Sequence, residues 1–106
     1  MTDATLDVLV SVELAWDHDK NRTNNEKHGI SFEEAAELFL SGVDYLEVFD
    51  EAHSVYEDRF IAIGPIIRGV VLVVWTERDE DIVRIISARW ATARETDFFH
   101  RYSRSK

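Results

Sequence analysis

The chain contains no cysteine, one proline and four glycines in 106 residues. The absence of cysteine excludes a disulfide framework, a thiolate zinc site and a cysteine nucleophile. The longest apolar stretch, residues 60–75, is interrupted by Gly64, Pro65, Arg68 and Gly69 and is too short to cross a membrane. The first fifteen residues include three acidic residues and no Lys or Arg, which is not the pattern of a signal peptide. These absences predict a soluble cytoplasmic protein.

The composition predicts one packed domain that spans residues 1–106. Hydrophobic residues make up 45% of the chain and aromatic residues 11%, which is enough for one core but not for two at this length. This composition is not that of an intrinsically disordered chain. Residues 1–15 are expected to form an extra strand-like segment at the N-terminus of the domain.

Acidic residues outnumber basic residues by 21 to 12, and the charges are unevenly distributed. Residues 1–83 contain 19 acidic and six basic residues, whereas residues 84–106 contain two acidic and six basic residues. A basic segment on an acidic body can attract a phosphate chain locally despite the net charge of −9. A solvated helix with scattered arginines would give the same pattern, so charge alone leaves both interpretations open.

The first part of the chain predicts one strand and two helices. Residues 6–16 alternate between apolar and polar side chains and are rich in valine, which is typical of a β-strand. Asp17 is the predicted N-cap of a helix that is almost entirely polar. Ser31 and Glu34 form a capping box, and residues 31–40 then carry an apolar stripe with helical spacing. The second helix is therefore predicted to be amphipathic.

The rest of the chain changes to the two-residue period of β-strands. The predicted elements are strands at residues 45–49, 59–67, 70–76 and 82–89, a polar connection at residues 50–58, and a C-terminal helix at residues 91–102, which is expected to be capped at Ala91-Thr92. Strands that follow one another in sequence predict an antiparallel sheet with the helices on one face. The predicted fold class is α+β, with two N-terminal helices and one C-terminal helix. Strict alternation along the last strand would place Arg84 and Arg89 on opposite faces of the sheet.

Histidine spacing predicts no metal site. The four histidines are His18, His28, His53 and His100, and none forms a ligand pair with another histidine or a carboxylate in a core segment. The sequence also lacks a phosphate-binding glycine loop and a nucleophile elbow. We therefore expect the protein to use neither a metal nor another cofactor.

The remaining candidates for chemistry are charged side chains on the predicted strands. They are carboxylates and guanidinium groups: Glu57, Arg59, Glu77, Arg78, Arg84 and Arg89. An arginine held by a carboxylate can position its guanidinium against a phosphate group. The same pairs can instead serve only to tie strands together, and the residue types alone do not decide between these roles.

Several separated motifs resemble the BrnT family of bacterial type II toxins. They occur in the family's order: WD at 16–17, KHGISFEEA at 27–35, Asp50, HS at 53–54, EDRFIAIG at 57–64, TER at 76–78 and RIISARWAT at 84–92. This collinear match extends to about Tyr102 and covers most of the chain. The resemblance implies a RelE-like fold, and the α+β topology predicted above agrees with it.

The resemblance also implies an activity, which is metal-independent cleavage of RNA. It further implies neutralisation by a BrnA-like ribbon-helix-helix antitoxin, which binds the operator DNA. By motif position, the implied catalytic residues are Arg59, Arg84 and Arg89 toward the phosphate, Glu57 and Glu77 as base or arginine-orienting groups, and His53 as an acid–base group. The implied RNA-binding residues are Arg78, Trp90 and Arg94. Trp90 stands where the family usually has a basic residue, and its indole can stack on a base instead.

Two other interpretations fit the same residues. The chain can be a non-catalytic relative that binds the antitoxin and modulates repression of the operon. It can also be a small oligomerising domain, a homodimer in which residues 6–14 pair with the sheet edge of a second subunit. In the toxin interpretation, we expect the antitoxin to cover the sheet and the C-terminal helix, because covering the arginines would also block chemistry.

Overall fold

The computed structural model describes residues 13–79 and 81–105. The strands are β1 (Glu13–Trp16), β2 (Leu46–Phe49), β3 (Arg59–Ile66), β4 (Gly69–Arg78) and β5 (Ile82–Trp90). The helices are α1 (His18–His28), α2 (Phe32–Ala35), α3 (Glu37–Leu40) and α4 (Ala93–Arg104), with a 3-10 helix at Glu51–His53. None of the helices in the described part of the chain is long and apolar enough to cross a membrane.

The five strands form one sheet in the order β1-β5-β4-β3-β2. The strands from β2 to β5 pair antiparallel, as predicted, because each follows its neighbour in sequence. The prediction of a wholly antiparallel sheet is wrong, since β1 pairs parallel to β5. The chain leaves β1 through three helices and enters the sheet again at its opposite edge, so no short turn sets the relative direction of these two strands. Residues 6–12 of the predicted first strand lie outside the described residues.

Helices cover both faces of the sheet, and the prediction that they share one face is wrong. The physical reason lies in β4, which is apolar on both sides and therefore needs cover on both. Val71 and Val73 pack in one cluster with residues of α2 and α3, whereas Leu72 packs in another with Ile63 of β3 and Phe99 of α4. We call the second side of the sheet the α4 face.

Helix α1 is polar, as predicted, and docks through two buried asparagines. Asn21 accepts a hydrogen bond from the amide of Phe32 at 2.7 Å. The side-chain amide of Asn24 donates to the carbonyls of Ile30 and Ala88 at 3.0 and 2.8 Å, and its oxygen accepts from the amide of Ala88 at 3.1 Å. Because β1 pairs with β5 only as far as Ile85, Asn24 takes over the backbone hydrogen bonds of β5 beyond that point.

The predicted amphipathic helix is divided into α2 and α3 at Ala36, where an amide-to-carbonyl bond of 3.0 Å from Phe39 closes a tighter turn. Ser31 caps the amide of Glu34 at 3.1 Å, but only this half of the predicted capping box forms. The carboxylate of Glu34 instead accepts two hydrogen bonds from Arg68. In α4 both halves of a capping box form, between Thr92 and Glu95, and the predicted cap of this helix is confirmed.

Candidate functional site

A β-bulge interrupts the pairing of β4 with β5. Val74 pairs with Ser87, and the next residue of β4, Trp75, pairs with Ile85. Ile86 is therefore an extra residue with no partner on β4. Since side chains alternate between faces along a strand, one extra residue reverses the alternation for everything that follows it.

The bulge places Arg84 and Arg89 on the same face of the sheet. Arg84 is opposite Thr76 and Arg89 is opposite Leu72, and directly paired residues of antiparallel strands point to the same side. Leu72 packs beneath α4, so both arginines belong to the α4 face. The prediction that they lie on opposite faces is wrong, because strict alternation does not hold across Ile86.

Arg59 and Arg84 lie in one row across the α4 face, on either side of Thr76, which pairs with both. The spacing of neighbouring strands separates the backbones of the two arginines by about 10 Å. Arg78 lies two residues beyond Thr76 on the same face. Glu57 joins this group, since its carboxylate oxygens lie 3.5 Å from Arg59 Nε and 3.8 Å from a terminal nitrogen of Arg78. We call Glu57, Arg59, Arg78 and Arg84 the arginine cluster.

The positive charge of the arginine cluster is only partly compensated. Nε of Arg59 is buried and makes no hydrogen bond, because Glu57 lies beyond good hydrogen-bond distance. The side chain of Arg84 makes no ion pair or hydrogen bond with another residue in the described ranges. The pKa of Asp17 is lowered mainly by the amide of Lys20, with a smaller contribution from the charge of Arg84. Two of the three guanidinium groups thus contact one carboxylate, that of Glu57, and in the described ranges the third contacts none. This arrangement is suited to an anion.

Arg89 lies on the same face but is held by Glu95 of α4. Two parallel hydrogen bonds of 2.8 Å join the guanidinium to the carboxylate. Hydrogen bonding to Arg89 is the largest cause that lowers the pKa of Glu95, to about 2. Arg89 therefore fastens the start of α4 to β5.

The other predicted RNA-binding residues are not part of the arginine cluster. Trp90 alternates to the face opposite Arg89, where the guanidinium of Arg68 stacks over its ring at 5.0 Å. Arg94 is exposed on α4 and lies 5.9 Å from the ring of Phe98.

Two predicted acid–base residues, Glu77 and His53, do not contact the arginine cluster. Glu77 is exposed and lies on the face opposite its neighbour Arg78, because the two are consecutive in β4. His53 belongs to the 3-10 helix before β3; its side chain is 70% exposed and its Nδ1 lies 3.0 Å from a carboxylate oxygen of Asp50. In the described ranges, His, Asp and Glu side chains do not gather in groups of three that could hold a metal ion.

Two roles were not predicted from the sequence, that of Thr76 at the site and that of Arg68 on the opposite face. Thr76 sits between the two arginines of the row, and its hydroxyl donates to the carbonyl of Asp58 at 2.6 Å, which fixes the chain where it enters β3. Arg68 binds Glu34 and the carbonyl of Gly29 besides stacking on Trp90. Neither role has a signal in the sequence, because each depends on contacts between distant segments.

Comparisons with known proteins show the family and a similar fold. A family model described as "Ribonuclease toxin, BrnT, of type II toxin-antitoxin system" matches residues 16–95, a range that contains the whole arginine cluster. The solved structure of the Brucella abortus ribonuclease toxin BrnT has a similar fold, with a TM-score of 0.57 and 23% sequence identity over 77% of this chain and 99% of that one. A comparison with curated proteins gave no match. Because the family model spans most of the sequence and its characteristic motifs, the chain belongs to the BrnT family of ribonuclease toxins of type II toxin–antitoxin systems.

Proposed function

We propose that the protein cleaves RNA without a metal ion and that the arginine cluster binds the phosphate at which the strand breaks. The observation that carries the proposal is that Arg59, Arg78 and Arg84 share the α4 face, where two of them contact Glu57 and Arg84 contacts no carboxylate in the described ranges. Within an otherwise acidic chain, such a group is a local site for a phosphate.

In the proposed reaction, the 2′-hydroxyl of a nucleotide attacks the adjacent phosphate. A bond forms between the 2′-oxygen and phosphorus, the bond to the 5′-oxygen of the next nucleotide breaks, and a 2′,3′-cyclic phosphate results. A base must take the 2′-hydroxyl proton, an acid must donate a proton to the 5′-oxygen, and cations must stabilise the charge on the phosphorane. We assign the last task to Arg59 and Arg84, which lie on the two sides of Thr76 in one row.

Glu57 is our candidate for the base, since it borders two arginines of the cluster at distances too long for strong hydrogen bonds. His53 is a candidate acid, because it is exposed in the connection that leads to Glu57. We assign Arg89 a positioning role through its pair with Glu95, and Glu77, Trp90 and Arg94 a role outside the phosphate site.

The family implies an antitoxin partner. We propose that this partner is a BrnA-like ribbon-helix-helix protein and that contact with operator DNA occurs only through it. The net charge of −9 supports this division, since DNA repels an acidic protein. We further propose a RelE-like arrangement, action in the cytoplasm, and an antitoxin that covers the α4 face together with Arg94, Arg101 and Arg104.

A second candidate function is non-catalytic binding of the antitoxin. The observation that favours it is the commitment of Arg89 to Glu95 and of Trp90 to Arg68, which removes two side chains of the family motif from contact with RNA. In this case the protein would modulate repression of the operon without cleaving RNA.

Cleavage of RNA by the purified protein in a chelator distinguishes the two functions. We expect wild type and Arg22→Ala to release fragments with 2′,3′-cyclic phosphate ends. The activity of Arg59→Ala should be lower by a factor on the order of 100. Arg22 is a matched control because it is exposed on α1 and, among the residues that the structure describes, pairs only with Asp19. Folded wild type that leaves RNA intact would support the binding function, and fragments formed only with added metal would refute the metal-independent mechanism.

A further inference from the structure

The connection from β2 to β3 is tied at both ends. At its start, the amide of Asp50 donates to the carbonyl of Arg59 at 2.8 Å, and the hydroxyl of Ser54 donates to the carbonyl of Asp50 at 2.5 Å. The same hydroxyl accepts the amide of Arg59 at 3.0 Å. At its end, the carbonyl of Asp58 accepts the hydroxyl of Thr76. The hydrogen bonds hold the connection in one conformation, although it lacks regular structure between residues 54 and 58.

Two large side chains project from this tied connection into solvent. Val55 is 78% exposed and Tyr56 is 100% exposed. Burial of a side chain of this size normally stabilises a fold by about 1.5–3 kcal/mol, and neither residue contributes in that way here. Single exposed apolar residues are common, so the argument rests on where these two are placed.

Tyr56 directly precedes Glu57, whose carboxylate contacts Arg59 and Arg78. Consecutive Cα atoms lie about 3.8 Å apart, so an uncovered aromatic ring is attached at the border of the arginine cluster. Proteins that bind single-stranded RNA combine cations for the phosphates with aromatic rings on which bases stack. Both components are present at this point of the molecule.

Because the chain is acidic, the stacking of bases on aromatic rings is an important source of affinity for RNA. Binding driven by charge alone is weak for a protein with a net charge of −9, since the surrounding carboxylates repel the RNA. A stacked base adds affinity that does not depend on charge and that tolerates different bases. Building on the proposed ribonuclease function, we propose that Tyr56 is an RNA-binding residue on which a base next to the cleaved phosphate stacks.

Binding of an uncleavable RNA tests this without relying on catalysis. The probe is a short 2′-O-methyl RNA that contains one 2-aminopurine, whose fluorescence falls when it stacks on an aromatic ring. We expect quenching with wild type and with Tyr56→Trp. With Tyr56→Ala we expect loss of quenching and an affinity about tenfold lower. Val55→Ala is the matched control, because it removes an exposed side chain of the same connection and should leave both readouts unchanged.

The salt dependence of binding separates stacking from contact with phosphate. Tyr56→Ala should keep the slope of affinity against salt concentration, whereas Arg59→Ala should lower that slope by about one. Wild-type levels of quenching and affinity in Tyr56→Ala would overturn the inference while leaving the ribonuclease function intact. The inference would also be overturned if Tyr56→Ala weakened only the binding of the antitoxin. Failure of wild type itself to bind the probe would refute both proposals together.

Discussion

Arg84 and Arg89 stand on the same face of β5 because Ile86, between them, is the extra residue of a β-bulge. Without the bulge, Arg84 and Arg89 would lie on opposite faces, because they are five residues apart and side chains alternate along a strand. They nevertheless differ in what they contact. Arg89 is held by Glu95, and Arg84 makes no ion pair within the described part of the chain. This difference leads to opposite expectations for their replacement.

Replacing Arg84 by alanine should strongly reduce RNA cleavage at little cost in stability. Arg84 is half-buried in the row with Thr76 and Arg59, and no described carboxylate loses a partner when it is removed. We expect RNA cleavage to fall by on the order of 100-fold and the free energy of unfolding in urea to change by less than about 0.5 kcal/mol. Arg84→Lys should recover part of the activity, since it restores the charge without the fork of the guanidinium. Full activity of Arg84→Ala would remove it from the proposed site.

Replacing Glu95 by glutamine should destabilise the fold in a pH-dependent way. The pKa of Glu95 is lowered from 4.5 to about 2, mainly by hydrogen bonding to Arg89. A lowered folded-state pKa means that the carboxylate stabilises the fold fully above the unfolded value, and that this stabilisation is lost as the pH falls from 4.5 toward 2. We expect Glu95→Gln to lower the free energy of unfolding by about 1–2 kcal/mol at neutral pH.

The difference between Glu95→Gln and wild type should shrink as the pH falls through this window. Asp97→Asn is the control, because Asp97 lies on the same helix and forms an exposed pair with Arg101 at 3.0 Å, which contributes little. Urea unfolding at neutral and acidic pH measures both effects. A pH-independent effect of Glu95→Gln would show that the Arg89 pair is not its source.

Replacing Asn24 by alanine should destabilise the protein more than any surface change on α1. Asn24 is buried and makes three hydrogen bonds, two of them to the backbone of Ala88 in β5. Its removal leaves buried backbone groups without partners, at a cost of about 2–4 kcal/mol. Asn25→Ala is the matched control, since Asn25 is the next residue of the same helix and is exposed. Comparable thermal unfolding of the two variants would contradict the docking role of Asn24.

The features that were correctly predicted from the sequence are local ones. The polar helix after Asp17, the strands of the meander and the cap at Thr92 depend on periodicity and on hydrogen bonds within a few residues. Such signals are complete in a short segment of chain, because the groups that satisfy one another are neighbours in sequence. The family motifs gave Glu57, Arg59, Arg78 and Arg84 individually as candidates, and their roles in the chemistry stay predictions.

Only the tertiary structure decided which of these residues lie on the same face of the sheet. The parallel pairing of β1, the placement of α4 on the opposite face and the bulge at Ile86 all depend on contacts between distant segments. The bulge is the decisive case, since one unpaired residue reverses every side chain that follows it and nothing in the strand pattern marks its position. The amino-acid sequence thus determined which side chains are available for chemistry. Pairing between strands decided that Arg84 shares a face with Arg59, because register is a property of two strands and not of one.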